Sequence, residues 1–110
     1  MSQRLVIYEH KKGKSLFLEW LLGLRDIKAR AIIRARINRL ELGNFGDCKS
    51  VGGGVLELRI AFGPGYRVYL GRDGNTIVVL LCGGDKGSQS KDVSKAKTLW
   101  KEYKDASKKL

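Results

Sequence analysis

The chain has 110 residues, with 22 lysines and arginines against 11 aspartates and glutamates, for a formal net charge of +11. That length leaves room for one core and excludes a second domain, so residues 1–110 read as one domain burying about 65% of its unfolded surface. The charge points to a polyanion, with nucleic acid ahead of an acidic protein or a membrane surface.

In chain order, residues 4–10 are rich in β-formers and predict an opening strand. A basic turn follows at Lys11, Lys12, Gly13 and Lys14. Ser15 is placed to cap a helix over 16–24, whose Phe17, Trp20, Leu21 and Leu24 share one apolar face. A second helix is predicted over 26–42, with Ala29, Ile33, Ile37 and Leu40 on its buried stripe and Gly43 ending it. Its other face carries Lys28, Arg30, Arg34, Arg36 and Arg39, a solvated surface able to steer anions. Residues 44–54 are rich in glycine and predict a loop. Strands are expected over 55–61 and 66–71, joined through Phe62-Gly63-Pro64-Gly65, with a tight turn at 72–75. The apolar run at 76–82 reads as a central strand covered on both faces. Ser88 or Ser90 can cap a last helix reaching Lys108, with Val93, Ala96, Trp100 and Tyr103 on its packed side. The order β-α-α-β-β-β-α defines an α+β domain.

Several chemistries are excluded early. Cys48 and Cys82 show no ligand spacing; Cys82 reads as a buried small hydrophobe and Cys48 as a free thiol in a polar loop, which suits a reducing compartment. No apolar run approaches the roughly 18 residues of a membrane span, and the first residues lack the apolar region of a signal peptide, so a cytoplasmic location is expected. Gly13-Lys14-Ser15 looks like the tail of a phosphate loop, but Tyr8 stands where its first glycine belongs. His10, the lone histidine, excludes a histidine pair or a multi-histidine metal site, so neither metal nor cofactor is expected.

The predicted hairpin is more informative. Side chains alternate across a strand, so Leu56, Leu58 and Ile60 share one face while Glu57 and Arg59 share the other. In the next strand Tyr66, Val68 and Leu70 separate in the same way from Arg67 and Tyr69. If the apolar sets face the helices, Glu57, Arg59, Arg67 and Tyr69 lie together on an opposite, partly open face. Lys86 joins them after a bend at Gly83-Gly84. By periodicity alone the better reading is an ordinary cross-strand ion ladder of small energy. The alternative is a phosphodiester site. Attack of an RNA 2′-OH on the adjacent phosphate needs a base, an acid and cations for the developing charge. Arginine grips phosphate oxygens in a fork and keeps its charge. Tyr69 can stack on a base or donate to phosphate.

At these residues the chain resembles the RelE/ParE superfamily of toxin–antitoxin toxins, nearest to the phage-derived, HigB-like addiction module killer protein branch. The matching pieces are Trp20-Leu21 with Leu24-Arg25-Asp26, then Arg39 to Asp47, Glu57-Leu58-Arg59-Ile60, Gly63-Pro64-Gly65-Tyr66-Arg67-Val68-Tyr69, and Leu81-Cys82-Gly83-Gly84-Asp85-Lys86 with Gln89. They cover almost the whole chain in order. The resemblance implies a microbial-RNase-like fold, with helices packed on a small antiparallel sheet. It also implies a toxin neutralised by a cognate antitoxin, often a helix-turn-helix protein.

RelE-like members cut mRNA in the ribosomal A site with basic residues. Arg67 matches the family arginine on the scissile phosphate, Lys86 a basic residue after the last strand, and Arg59 the Leu-Arg position one strand earlier. Relatives carry lysines where this chain has Val55 and Glu57, which leaves Glu57 and Lys86 both as candidate bases. The expectation is a metal-independent, ribosome-dependent endoribonuclease with catalytic Arg59, Arg67, Lys86 and Glu57. Lys49, Tyr69, Gln89 and Lys91 are its expected RNA contacts. ParE-like members share the fold but poison DNA gyrase, and an inactive, antitoxin-binding member is the remaining alternative.

Overall fold

Alternation of period two in the middle of the chain and apolar stripes of helical period on either side assemble into one sheet flanked by helices. The structure, a computed structural model, describes residues 2–10 and 13–107. Lys11 and Lys12 of the expected basic turn, and Lys108 at the expected end of the last helix, lie outside the described residues. The elements are β1 (Arg4–Ile7), α1 (Leu16–Gly23), α2 (Ile27–Glu41), β2 (Cys48–Gly52), β3 (Val55–Ile60), β4 (Tyr66–Asp73), β5 (Ile77–Asp85), a 3-10 turn (Lys86–Ser88) and α3 (Gln89–Ser107).

Both early helices start as their caps dictate. The Ser15 hydroxyl accepts from Leu18 N–H at 3.1 Å, and Asp26 accepts from Lys28 and Ala29 at 3.0 and 3.1 Å. Asp85 caps the 3-10 turn that leads into the last helix: its carboxylate accepts from Gly87 N–H while Ser88, one of the two expected caps and the residue directly before that helix, closes a capping box on the turn.

The strands run in the order β1-β5-β4-β3-β2. Strands β2 to β5 are antiparallel, but β1 lies parallel to β5, so the sheet is mixed rather than wholly antiparallel. Two long helices intervene between β1 and the rest, enough chain for a parallel return. The glycine-rich segment expected to be a loop supplies β2, which pairs with β3 through the Cys48↔Leu58 and Lys49↔Glu57 registers. Cys48 thus opens an edge strand. As expected, the apolar strand is central: β5 lies between β1 and β4.

Strand parity divides the core in two. Leu58, Ile60, Val68, Leu70, Val78 and Leu80 pack against Phe17, Leu21, Ala29, Ile33, Ile37 and Leu40 of α1 and α2. Val55, Tyr69, Val79, Leu81 and Cys82 pack beneath Ala96, Leu99 and Trp100 of α3. Each fully buried aliphatic side chain here contributes about 1.5–3 kcal/mol by its removal from water. Leu81 is the extra residue of a bulge, because Tyr69 pairs with Cys82 and Leu70 with Leu80. It moves the parity of β5 by one, which aims Gly83 at α1 and Gly84 at α3.

Two glycines are required by close approach. A Cβ on Gly83 would collide with the Trp20 ring, and one on Gly71 with the Trp100 ring. Gly83 and Gly84 therefore do not bend the chain toward Lys86 as expected. They stay in β5, paired with Val68 and Arg67.

Candidate anion-binding cleft

The expected parity holds, and α3 decides what it exposes. On its face the sheet carries successive cross-strand rows: Val55↔Gly71, then Glu57↔Tyr69↔Cys82, then Arg59↔Arg67↔Gly84. Trp100 seals the first row. The first turn of α3 closes the second. The third is covered by α3 at Gly84 but opens at Arg67 and Arg59 into a cleft of about 350 Å³, lined by Asp47, Arg59, Ile60, Ala61, Gly65, Tyr66, Arg67 and Lys86. Three of the expected catalytic residues, Arg59, Arg67 and Lys86, therefore meet in one place.

Glu57 and Tyr69 do not lie on an open face. Both are fully buried. The Tyr69 hydroxyl donates to Glu57 Oε2 at 3.0 Å and Gln89 Nε2 donates to the same oxygen at 2.8 Å. Arg67 Nε stands 3.5 Å from it, an ion pair whose N–H lacks hydrogen-bond alignment. Burial pushes the Tyr69 phenol above its ordinary range, and the hydrogen bond to Glu57 pushes it further. A nucleobase cannot stack on a side chain sealed in this way, which corrects the RNA-binding role expected of Tyr69. Gln89, also expected to touch RNA, has its amide committed to Glu57. Glu57 has no free path to a 2′-OH in the cleft and sits behind Arg67 as its counter-charge. Parity could not reveal this, because it identifies a shared face without saying which helix lies across it.

The two arginines, paired in register, differ in setting. Arg67 keeps 13% of its side chain exposed, held between Glu57 and the Gly65 carbonyl at 3.4 Å. Arg59 is 41% exposed and donates from Nε and Nη2 to Asp47 Oδ1 at 3.2 and 3.0 Å. Lys86 is exposed, and its backbone N–H donates to the Gly65 carbonyl at 2.9 Å, tying the 3-10 turn to the β3–β4 hairpin.

Two residues beside this cleft have structural parts that sequence reasoning missed. Arg36, grouped with the solvated helix charges, reaches in from α2 and donates to the carbonyls of Arg59 at 2.6 Å, Phe45 at 3.2 Å and Asp47 at 3.5 Å. Asp47 precedes β2, next to the Cys48↔Leu58 pair, so reading that segment as a strand would have set it opposite Arg59.

Lys49 is exposed on β2 in register with Glu57, and Lys91 is exposed on α3 along a separate groove with Asp92, Ser94, Lys95 and Thr98. Both remain outside the cleft. His10 pairs with Glu102 at 3.0 Å across the molecule, a structural contact. Cys82 is buried against the Asp92 carbonyl, and burial pushes its thiol up to about 12.

Chemically, the cleft can bind an oxyanion between two guanidinium groups and an ammonium, with one carboxylate at its rim. Among the described residues, no group of three or more histidine, cysteine, aspartate or glutamate side chains could hold a metal ion. Among the described residues, no helix is long and apolar enough to cross a membrane.

No family model matches the chain. An uncharacterized protein of Haemophilus influenzae is 55% identical to it over 86 residues, covering 78% of this chain and 87% of that protein.

Proposed function

The chain belongs to the family of that Haemophilus influenzae protein, and we propose that it is the toxin of a type II toxin–antitoxin pair, a RelE/ParE-like endoribonuclease that cuts mRNA on the ribosome. The observation that carries this reading is the convergence of Arg59, Arg67 and Lys86 on one cleft. The +11 charge supports it by favouring a polyanionic partner. So does the ordered run of motif resemblances, which also suggests a cognate antitoxin as the neutralising partner.

In this reading the cleft receives the scissile phosphate. The RNA 2′-OH attacks phosphorus and gives up its proton to water, the bond to the 5′-oxygen breaks and that oxygen takes up a proton, and the products are a 2′,3′-cyclic phosphate and a 5′-hydroxyl. Arg67, its side chain fixed by Glu57, meets one nonbridging oxygen. Arg59 meets the other, and both bind more strongly as charge develops. Lys86, the exposed cation of the cleft, neutralises charge or carries the proton at the leaving oxygen. Glu57 positions Arg67 rather than accepting the proton, and the ribosome supplies the substrate geometry.

The test is primer extension on a message in a translating extract. Arg67→Ala and the milder Arg67→Lys should each cut about 100-fold more slowly or worse, with the fold checked by circular dichroism. Cutting at the wild-type rate by a folded Arg67→Ala protein removes this site. Loss of gyrase supercoiling with the message intact selects the ParE-like alternative.

A further inference from the structure

We propose that Asp47 occupies, in the free protein, the place on Arg59 that a substrate phosphate takes, so that an anion enters the cleft by exchange with this carboxylate. The inference rests on the reading that the cleft receives a phosphodiester.

The geometry supplies the argument. Arg59 turns its Nε and Nη2 edge to Asp47, with both groups on Oδ1. That edge is the fork with which arginine grips phosphate as well as carboxylate. Asp47 is also free to leave without disturbing the fold. Its backbone is anchored independently of its side chain: Arg59 N–H donates to the Asp47 carbonyl at 2.9 Å, and Arg36 holds the carbonyls of Asp47 and Phe45. The carboxylate is 56% exposed, so one rotation of the side chain returns it to water. Exposed pairs of this kind are weak and screened by salt.

Arg67 offers the contrast. Its partner Glu57 is wholly buried and held by Tyr69 and Gln89, so that pair cannot open to admit an anion. The two arginines of one cross-strand row are thus neutralised in different ways, one permanently and one exchangeably. The consequence is selectivity. A polyanion brought in by the other cations can displace Asp47, whereas a single weak monoanion gains too little from Arg59 to do so.

The experiment measures binding of a fluorescent 2′-deoxy oligonucleotide, which lacks the attacking hydroxyl and cannot be cut by this route. Asp47→Asn should bind it about three- to tenfold more tightly than wild type near 50 mM salt, with the gain shrinking by about 200 mM. The gain should vanish in the Asp47→Asn/Arg59→Ala double variant. Unchanged or weaker binding by a folded Asp47→Asn protein overturns the proposal and makes Asp47 a strut that positions Arg59. Tighter binding with no cleavage of message by any variant upholds the exchange and rejects the ribonuclease reading. Cleavage by wild type without tighter binding by Asp47→Asn rejects the exchange alone, and a result with neither oligonucleotide binding nor cleavage of message by any protein rejects both.

Discussion

The two ends of the sheet face beneath α3 are built from the same pair of strands and behave in opposite ways. At the Val55↔Gly71 end the indole of Trp100 lies directly on the glycine and leaves no room for a Cβ. At the Arg59↔Arg67 end the helix cover has run out, and charged side chains line a cleft. Between them the Glu57↔Tyr69↔Cys82 row is sealed yet polar. The difference teaches that polarity along β3 and β4 follows the cover above the sheet. Under full cover the row is apolar. Under the first turn of the helix it is polar and internally paired. Where the helix cover ends it is cationic, and it opens to water on the Arg59 side.

The hardest blow to this comparison falls on its dry end. Trp100→Ala should destabilise the fold by about 3–5 kcal/mol, read as a lower urea midpoint. At temperatures where the variant stays folded, oligonucleotide binding in the cleft should be unchanged. A loss of binding with the fold intact would show that the two ends are not independent.

The middle row is tested by Glu57→Gln. This variant keeps the shape of the side chain but leaves Arg67 largely buried without a counter-charge, and should cost about 2–3 kcal/mol. In the same extract assay it should slow cleavage while leaving the pH profile of cleavage where it was. A shift of that profile would return Glu57 to the role of proton acceptor.

The smallest effect is a pH dependence of stability in the same row. Cys82 is raised from 9.0 to about 12 by burial, and Tyr69 is raised as well. A raised folded-state value means that the unfolded chain loses its proton first. Stability is therefore full below the unfolded values and falls as pH rises, by about 1 kcal/mol per unit above about pH 9 for the thiol. Cys82→Ala should flatten the thiol's share of that decline in thermal unfolding scans. An equal slope in the variant would assign the decline to the other raised groups, Tyr69, Cys48, Tyr8 and Tyr103, and not to the thiol of Cys82.

Much of this architecture is local and therefore legible. Ser15 and Asp26 announce their helices because a cap is decided within three residues, and Ala29, Ile33, Ile37 and Leu40 all reach the core as their spacing requires. The separation of Leu58, Val68 and Leu70 from Arg59 and Arg67 follows from a period of two that β3 and β4 keep without a register shift between them. Strand β2 was hidden because its glycines suit a loop, and it becomes a strand only by pairing with β3.

What the tertiary structure alone decided is the seat of α3. Its first turn brings Gln89 to Glu57 and its middle brings Trp100 onto Gly71, which removes Glu57 and Tyr69 from the candidate surface and leaves Arg59, Arg67 and Lys86. The Asp47–Arg59 pair belongs to the same class of fact. A strand's alternation is a property of its own backbone, whereas cover and counter-charge come from segments distant in sequence, placed by packing.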